Sequence, residues 1–181
     1  MGSRPLHPLD AIHRELSEIA AALPREEAGA LSRAIRDARR VFLGGMGRSG
    51  LMMRAFAMRL MQLGVTVYVV GDTTTPSIGR GDLLVLGSRY GRSGSLAHYV
   101  DIARREGARI AVVTMDSDTP LARAADLVAT IPVASGGVSR QPLGTLFEQS
   151  LLVYLDAVVL LLKRLLHKTE HAMRKRHTNL E

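Results

Sequence analysis

From residue 41 onwards the chain alternates short apolar segments with segments of helical periodicity. The apolar segments are mostly leucine, isoleucine and valine, and they lie at residues 41–44, 65–70, 83–86, 109–114 and 127–131. The helical segments between and after them lie at residues 51–63, 95–106, 120–125 and 144–166. Strands that are apolar throughout need cover on both faces, and strand–helix alternation is typical of parallel sheets. The sequence therefore predicts an α/β fold, a three-layer sandwich around a five-stranded parallel sheet.

Two amphipathic segments precede this core. Residues 9–23 carry apolar side chains at helical spacing, Pro24 interrupts the pattern, and residues 25–38 carry a second apolar stripe. We expect an N-terminal helical hairpin, then an α/β core at residues 41–166, then a C-terminal tail at residues 167–181. The total of 181 residues is that of a single domain.

Composition excludes several classes of protein. The absence of cysteine excludes a disulfide framework, a thiol nucleophile and an iron–sulfur cluster. The 24 basic and 17 acidic residues give a net charge of +7, but no basic run is interleaved with aromatic residues, so we predict no nucleic-acid partner. No metal-ligand spacing occurs, and we predict no metal.

The longest apolar stretch, residues 151–162, is interrupted by Asp156. It is shorter than the roughly 20 residues that cross a bilayer, so we predict a buried helix and no membrane partner. The N-terminal residues lack the apolar region of a secretory signal, and we expect a cytoplasmic protein.

The first predicted strand runs into a glycine-rich turn at residues 45–50 (GMGRSG). Glycine lets a backbone approach an anion closely, and the N-terminus of the next helix attracts negative charge. Gly47, Arg48 and Ser49 are therefore candidate binding residues. Asp72 follows about 20 residues further on, which completes a dinucleotide fingerprint. A dinucleotide-binding oxidoreductase remains an alternative at this point.

A second polar loop follows the strand at residues 83–86. Hydroxyls, guanidinium groups and the backbone N–H groups of a loop that enters a helix can together hold a phosphate. A dinucleotide fold does not need this second loop, whereas a sugar-phosphate fold does. The alternative is a flexible loop with solvent-facing arginines. The candidate residues are Ser88, Arg89, Tyr90, Gly91, Arg92 and Ser93.

Three further segments each have two interpretations. Thr74 and Thr75, at the end of the second strand, either bind sugar hydroxyls or form a turn. Glu148, in the first turn of the last helix, is either a base beside the sheet or part of a capping box with Thr145. The loop at residues 132–144 is either a lid or a surface connection.

Several blocks of this sequence resemble a known family. The turn at residues 45–50 and the following AFAMRLM at 55–61 are similar to the first helix region of sugar isomerase (SIS) domains. Four further blocks narrow the resemblance, which covers nearly the whole chain, to the 6-phospho-3-hexuloisomerase family. These blocks are TTTP at residues 73–76, GDLL at 81–84, QPLGTLFEQ at 141–149 and RHTNLE at 176–181.

The resemblance implies a flavodoxin-like fold, a homotetramer, no cofactor and a sugar phosphate as the partner molecule. Members interconvert 3-hexulose 6-phosphate and fructose 6-phosphate through a cis-enediol, in the ribulose monophosphate route of formaldehyde fixation or its reverse. It further implies that Ser49 contacts the substrate and that residues 88–93 grip the phosphate. Glu148 corresponds to the proton acceptor, and His177 to a histidine that reaches a neighbouring subunit's site.

One departure from the family pattern affects the phosphate loop. The family loop usually reads SGSGET, whereas residues 88–93 read SRYGRS. Arg89 in place of glycine costs about 1–2 kcal/mol if the backbone there needs a positive φ. Arg92 in place of glutamate reverses a charge beside the anion. These changes leave open a module that binds a phosphosugar without turning it over.

Overall fold

The computed structural model describes residues 6–133 and 139–180. The helices are α1 (Pro8–Ala22), α2 (Arg25–Asp37), α3 (Gly47–Leu63), α4 (Gly94–Arg105), α5 (Pro120–Arg123), α6 (Thr145–Leu165) and α7 (Glu170–Arg174). The strands are β1 (Val41–Gly45), β2 (Val67–Val69), β3 (Leu83–Gly87), β4 (Arg109–Thr114) and β5 (Leu127–Thr130).

All five strands are parallel and lie in the order β2-β1-β3-β4-β5. The predicted five-stranded sandwich is confirmed. The chain leaves β1 in one direction to form β2 and then returns to the other side of β1 to form β3. In open α/β sheets this reversal opens a crevice at the carboxyl ends of the two central strands, which is where ligands bind.

Alternation along the strands builds two apolar cores. Val41 and Leu43 face one side, where they pack with α2, α3 and α6. Phe42, Leu84 and Leu86 face the other side, where they pack with α4 and α5. Because successive side chains of a strand point to opposite faces, the continuously apolar strands supply both cores.

Helix α6 is the most apolar element. Within the described residues it is the one helix that is long and apolar enough to cross a bilayer, but half of its most apolar window is buried. It packs along α2 and α3, and Phe147, Leu151 and Leu155 are fully buried. These contacts make it a core helix of the sandwich.

Three of the departures from the predicted elements have a clear structural cause. Helix α3 begins at Gly47 instead of residue 51, because the glycine-rich turn itself forms the first helical turn. Strand β2 is shorter than predicted, because the N–H of Val65 donates to Leu60 O and so belongs to the C-terminal cap of α3. Helix α7, capped by Thr169, lies in the segment predicted as a tail.

The amino ends of the central strands are held together by a buried carboxylate. Arg40 Nη2 donates to Asp82 Oδ2 at 2.7 Å, Arg39 Nε donates to Oδ1 at 3.1 Å, and the N–H of Gly79 donates to Oδ2 at 2.9 Å. Burial raises the pKa of Asp82, but the hydrogen bonds from Arg40 and Arg39 outweigh it and hold the pKa below its ordinary value. The cluster joins the start of β1 to the start of β3.

Candidate active site

A cavity of about 360 Å³ opens at the carboxyl ends of β1 and β3. It lies at the crevice that the strand order predicts, between α3 on one face of the sheet and α4 on the other. Six residues singled out from the sequence line this one cavity, together with Met46 and Gly87. They are Ser49, Ser88, Arg89, Tyr90, Arg92 and Ser93.

The first side of the cavity is the turn between β1 and α3. The end of β1 touches the first turn of α3 there. A Cβ on Gly50 would lie 2.6 Å from Gly45 O, and a Cβ on Gly45 would lie 3.0 Å from Gly50, so both positions require glycine. Gly47, with a φ of 55°, forms the first residue of the helix. This close packing leaves Ser49 buried at 7% exposure against the cavity.

The second side is the loop between β3 and α4. Ser88 Oγ accepts from the N–H of Gly91 at 3.2 Å, which closes a tight turn. Ser93 caps α4, with its hydroxyl accepting from the N–H of Leu96. Gly91 has a φ of 58°, and a Cβ there would lie 2.2 Å from Thr119 Oγ1, so no other residue fits. The loop thus places two hydroxyls and the N-terminus of a 12-residue helix at the cavity.

Arg89 crosses from this loop to the start of α6. Its Nη1 donates to the carbonyl of Leu143 at 2.9 Å, and its guanidinium lies 4.6 Å from the centre of the Tyr90 ring. Among the described residues, the non-glycine positions with a positive φ are Leu143 and His167. Arg89 therefore carries none of the strain that a required glycine would imply, and the expected cost at this position does not arise.

Glu148 lies in the first turn of α6 beside Arg48. Arg48 Nη1 donates to Glu148 Oε2 at 3.0 Å, and the carboxylate is 16% exposed. A capping box is wrong for this helix, because Gly144 is the N-cap and the Thr145 hydroxyl donates to Pro142 O. The carboxylate is therefore directed to Arg48. Neither side chain lines the cavity of about 360 Å³, and Arg48 lines a neighbouring cavity with Thr145 and Gln149.

The two threonines lie apart from the cavity. Thr75 Oγ1 donates to Val69 O at 2.6 Å. Of the two interpretations of this segment, the bond favours the turn. Thr75 lines a separate, apolar cavity with Phe42 and Tyr99. Thr74 is exposed. Neither threonine lines the cavity that the other candidates share, and their contact with sugar hydroxyls stays a prediction.

His177 lies near the amino ends of the strands, and Glu148 lies near their carboxyl ends. His177 is exposed and follows α7, which packs on α3. The neighbouring Arg176 guanidinium packs against Gly64, the residue that caps the C-terminus of α3. It lies 3.2 Å from where a Cβ built on Gly64 would be. Because α3 starts at the cavity and its 17 residues span about 25 Å, His177 does not reach Glu148 within one chain.

Asp72, the acidic residue of the dinucleotide fingerprint, is already paired. Arg54 Nη2 donates to Asp72 Oδ1 at 2.6 Å, and Arg54 Nη1 donates to Oδ2 at 3.2 Å. The glycine spacing is accounted for by the packing of Gly45 against Gly50. Neither half of the fingerprint therefore needs a dinucleotide.

Sequence reasoning did not find Glu15 of α1. Its carboxylate accepts from Ser139 Oγ, from the N–H of Arg140 and from Gln141 Nε2, at 2.8 to 3.1 Å. Burial raises its pKa, but these hydrogen bonds outweigh that effect and lower it. Glu15 thus holds the segment that enters α6, and no local motif marks it. The middle of the loop predicted as a lid or connection, residues 134–138, lies outside the described residues.

Comparison with known proteins places this geometry in context. The sequence model described as the SIS domain matches residues 34–156. A 3-hexulose-6-phosphate isomerase from Mycobacterium gastri is 42% identical over 178 residues, covering 96% of this chain and 89% of that protein. A 3-hexulose-6-phosphate isomerase from Bacillus subtilis is 37% identical over 176 residues, covering 94% of this chain and 95% of that protein.

A solved structure is also similar over the whole chain. It is a hypothetical protein from Methanococcus jannaschii, for which the function of a 3-hexulose-6-phosphate isomerase was inferred. The TM-score is 0.87 at 33% sequence identity, and the match covers 97% of this chain and 100% of that one.

Proposed function

The chain belongs to the SIS-domain family, and we propose that it interconverts 3-hexulose 6-phosphate and fructose 6-phosphate. The observation that carries the proposal is the position of Glu148. Its carboxylate, paired with Arg48, lies across the Gly144 backbone from Arg89. Arg89 in turn lines the cavity, together with Arg92 and the two serine-containing loops. A base next to an anion-binding cavity is what the isomerisation of a sugar phosphate requires.

The phosphate binds between the Ser88–Ser93 loop and the N-terminus of α4. Ser93 caps that helix by accepting from the N–H of Leu96, and the first-turn N–H groups that the cap leaves unbound meet the anion together with the helix dipole. Arg92 and Arg89 line the same cavity and add charge-assisted hydrogen bonds. Ser49, on the opposite wall, contacts the sugar. This arrangement leaves the carbon chain extending from the loop towards Glu148.

Glu148 then moves one proton between adjacent carbons. In 3-hexulose 6-phosphate the ketone is at C3, and Glu148 takes the proton from C2 to give the cis-enediol. Returning that proton to C3, while the hydroxyl proton passes from O2 to O3, gives fructose 6-phosphate. Arg48 donates to Glu148, so its guanidinium lies where it can stabilise the negative charge on the enediolate oxygens. The route uses acid–base groups of the protein and no cofactor.

We assign the proton transfer between the oxygens to His177 of a second copy. Within one chain this histidine lies at the far edge of the sheet from Glu148, so its participation requires a shared site between subunits. A shared site needs at least two subunits, and the family resemblance implies that the assembly is a homotetramer. Mixing Glu148→Gln and His177→Gln subunits tests this. Each variant alone should be inactive, and equal mixing should give assemblies in which about a quarter of the sites have both residues intact. A mixture as inactive as the two separate variants would remove His177 from the site.

We further propose that the protein works in the cytoplasm, in the ribulose monophosphate route that fixes formaldehyde. A sugar phosphate is a dianion that does not cross a bilayer, so an enzyme acting on it shares its compartment. A module that binds a phosphosugar without turnover is not favoured. Arg89 fits its loop without strain, and relatives named as isomerases match nearly the whole chain.

A coupled assay tests the function. A hexulose-phosphate synthase, formaldehyde and ribulose 5-phosphate supply the substrate, and glucose-6-phosphate isomerase and dehydrogenase report fructose 6-phosphate. We expect turnover, a loss of about 10²–10⁴-fold in Glu148→Gln, and a melting temperature that fructose 6-phosphate still raises in that variant. Glu18→Gln, on the exposed face of α1, is the matched control. No turnover by the unchanged protein, with a retained thermal shift, would instead establish a binding module.

A further inference from the structure

Arg89 occupies a position that links the two halves of the site. It belongs to the loop that faces the phosphate cavity, and its side chain ends against the residues that open α6. The loop keeps its shape because Gly91, held against Thr119, supplies the left-handed turn. A long side chain is therefore accommodated at position 89 without a change in the loop.

The contacts of Arg89 reach the immediate surroundings of Glu148. Its Nη1 donates to the Leu143 carbonyl, two residues before α6 begins. A Cβ built on Gly144 would lie 3.4 Å from Arg89 Nη1 and 3.5 Å from Glu148 Oε1. The guanidinium and the carboxylate thus flank the same backbone position. A contact that holds the Arg89 guanidinium in place therefore also holds the start of the helix that carries Glu148.

One N–H of this guanidinium is unused. Arg89 Nε is buried and has no hydrogen-bond partner among residues 6–133 and 139–180. Buried donors are nearly always paired in folded proteins, so an unpaired one beside a cavity needs an explanation. Arg89 lines the cavity with Ser88 and Ser93. A phosphate oxygen bound there would supply the missing acceptor.

We propose that Arg89 is a positioning residue that couples phosphate binding to the placement of Glu148. The inference rests on the proposed isomerase function and goes beyond it. The phosphate accepts from one edge of the guanidinium while the Leu143 carbonyl accepts from another, and the Tyr90 ring holds its plane. A planar guanidinium has several donors at fixed angles and can bridge two acceptors in this way, whereas the compact ammonium of lysine cannot hold both. The phosphate end of the substrate thereby orders the base that acts at the other end.

Steady-state kinetics of four variants separate this role from simple anion binding. We expect Arg89→Gln and Arg89→Lys each to lower kcat at least tenfold, with Lys failing to rescue although it keeps the charge. Arg92→Gln removes a second guanidinium of the same cavity and should raise KM more than it lowers kcat. Arg105→Gln, with a side chain that is 71% exposed at the end of α4, should match the unchanged protein. A kcat within twofold of the unchanged enzyme in both Arg89 variants would overturn the coupling.

Amide hydrogen exchange gives a second readout that needs no turnover. Inorganic phosphate should slow exchange over residues 142–150 in the unchanged protein and in Arg105→Gln, but not in Arg89→Gln. A structural role alone would raise exchange in Arg89→Gln without abolishing the response to phosphate. Equal protection by phosphate in both proteins would also overturn the inference. Because the assay of the unchanged enzyme separately tests isomerase activity, the two proposals fail independently.

Discussion

The amino ends and the carboxyl ends of the central strands, called here the amino edge and the carboxyl edge, each hold an arginine–carboxylate pair. The two pairs are built differently. At the amino edge the Asp82 side chain is fully buried and receives two guanidinium groups and a backbone N–H. At the carboxyl edge, within residues 6–133 and 139–180, Glu148 has one side-chain partner, an Arg48 that is 46% exposed and donates at 3.0 Å. The first pair satisfies its carboxylate within the protein, and the second leaves capacity for a ligand.

The difference separates stability from chemistry. A buried carboxylate with all its partners in place joins β1 to β3 and has no spare hydrogen-bonding capacity. A carboxylate with a single exposed partner contributes little to folding, because solvent screens the pair. The proposed function uses the capacity that remains on this carboxylate. The same two residue types therefore hold the sheet at one edge and, in the proposed function, react at the other.

The largest expected effect is at the amino edge. Asp82→Asn removes the charge that pairs Arg39 and Arg40 and should lower the free energy of unfolding by about 3 kcal/mol. This is the low end of the range for a broken buried pair, because both arginines keep contact with water. Chemical denaturation measures the loss. Below the unfolding transition kcat should stay unchanged, and a matching loss of kcat would mean that the edges are not independent.

Gly91→Ala should have the next largest effect and acts on the carboxyl edge through its backbone. A Cβ there would overlap Thr119, and the positive φ adds about 1–2 kcal/mol of strain. The loop must shift, so the affinity for inorganic phosphate should fall together with the stability. Gly79→Ala is the control, since a Cβ there meets nothing within 4 Å and the residue lies beside Asp82, away from the loop. Equal phosphate affinity in both variants would contradict the role assigned to the loop.

Acid titration sharpens the comparison further. The pKa of Asp82 is lower in the folded protein than in the unfolded chain. Its contribution to stability is therefore complete above the unfolded value, near 4, and is lost as the pH falls through the lower folded value. Asp82→Asn should flatten the fall in stability as the pH drops below about 5. An unchanged slope, measured by denaturation at each pH, would assign acid sensitivity to other groups.

The smallest expected effect is that of Glu148→Gln on folding. Its partner is partly exposed, so the ion pair contributes about 0–1 kcal/mol and the unfolding midpoint should hardly move. Thermal denaturation beside the kinetic assay measures both quantities on one sample. A loss of stability as large as that of Asp82→Asn would show that Glu148 is also a structural residue.

The sequence predicts the fold because the signals are local and repeated. Apolar strands such as residues 109–114 alternate with helices, and parallel topology follows from that order. The same logic brings the 45–50 and 88–93 loops to one crevice, since the strands before them end at the same edge. Local patterns also explain the failures. Val65 has the apolar pattern of a strand, but its N–H donates to Leu60 O in the cap of α3, so the strand begins later.

Contacts between distant side chains could not be predicted. Arg89 and the Leu143 carbonyl are 54 residues apart in sequence, and Glu15 meets the segment before α6 from a helix near the N-terminus. Thr145 and Glu148 have the spacing of a capping box, but Gly144 takes the cap position one residue earlier. The place of His177 depends on how α7 folds back, for which periodicity offers no signal.

Leu143 combines a φ of 54° with a side chain that is 95% exposed. A bulky residue in this conformation costs about 1–2 kcal/mol, and its apolar surface gains nothing from burial within the chain. The Arg89 contact uses only the backbone carbonyl, which every amino acid provides. For protein engineering, glycine or asparagine at position 143 should relieve this backbone strain within the chain while the donor–acceptor pair is kept.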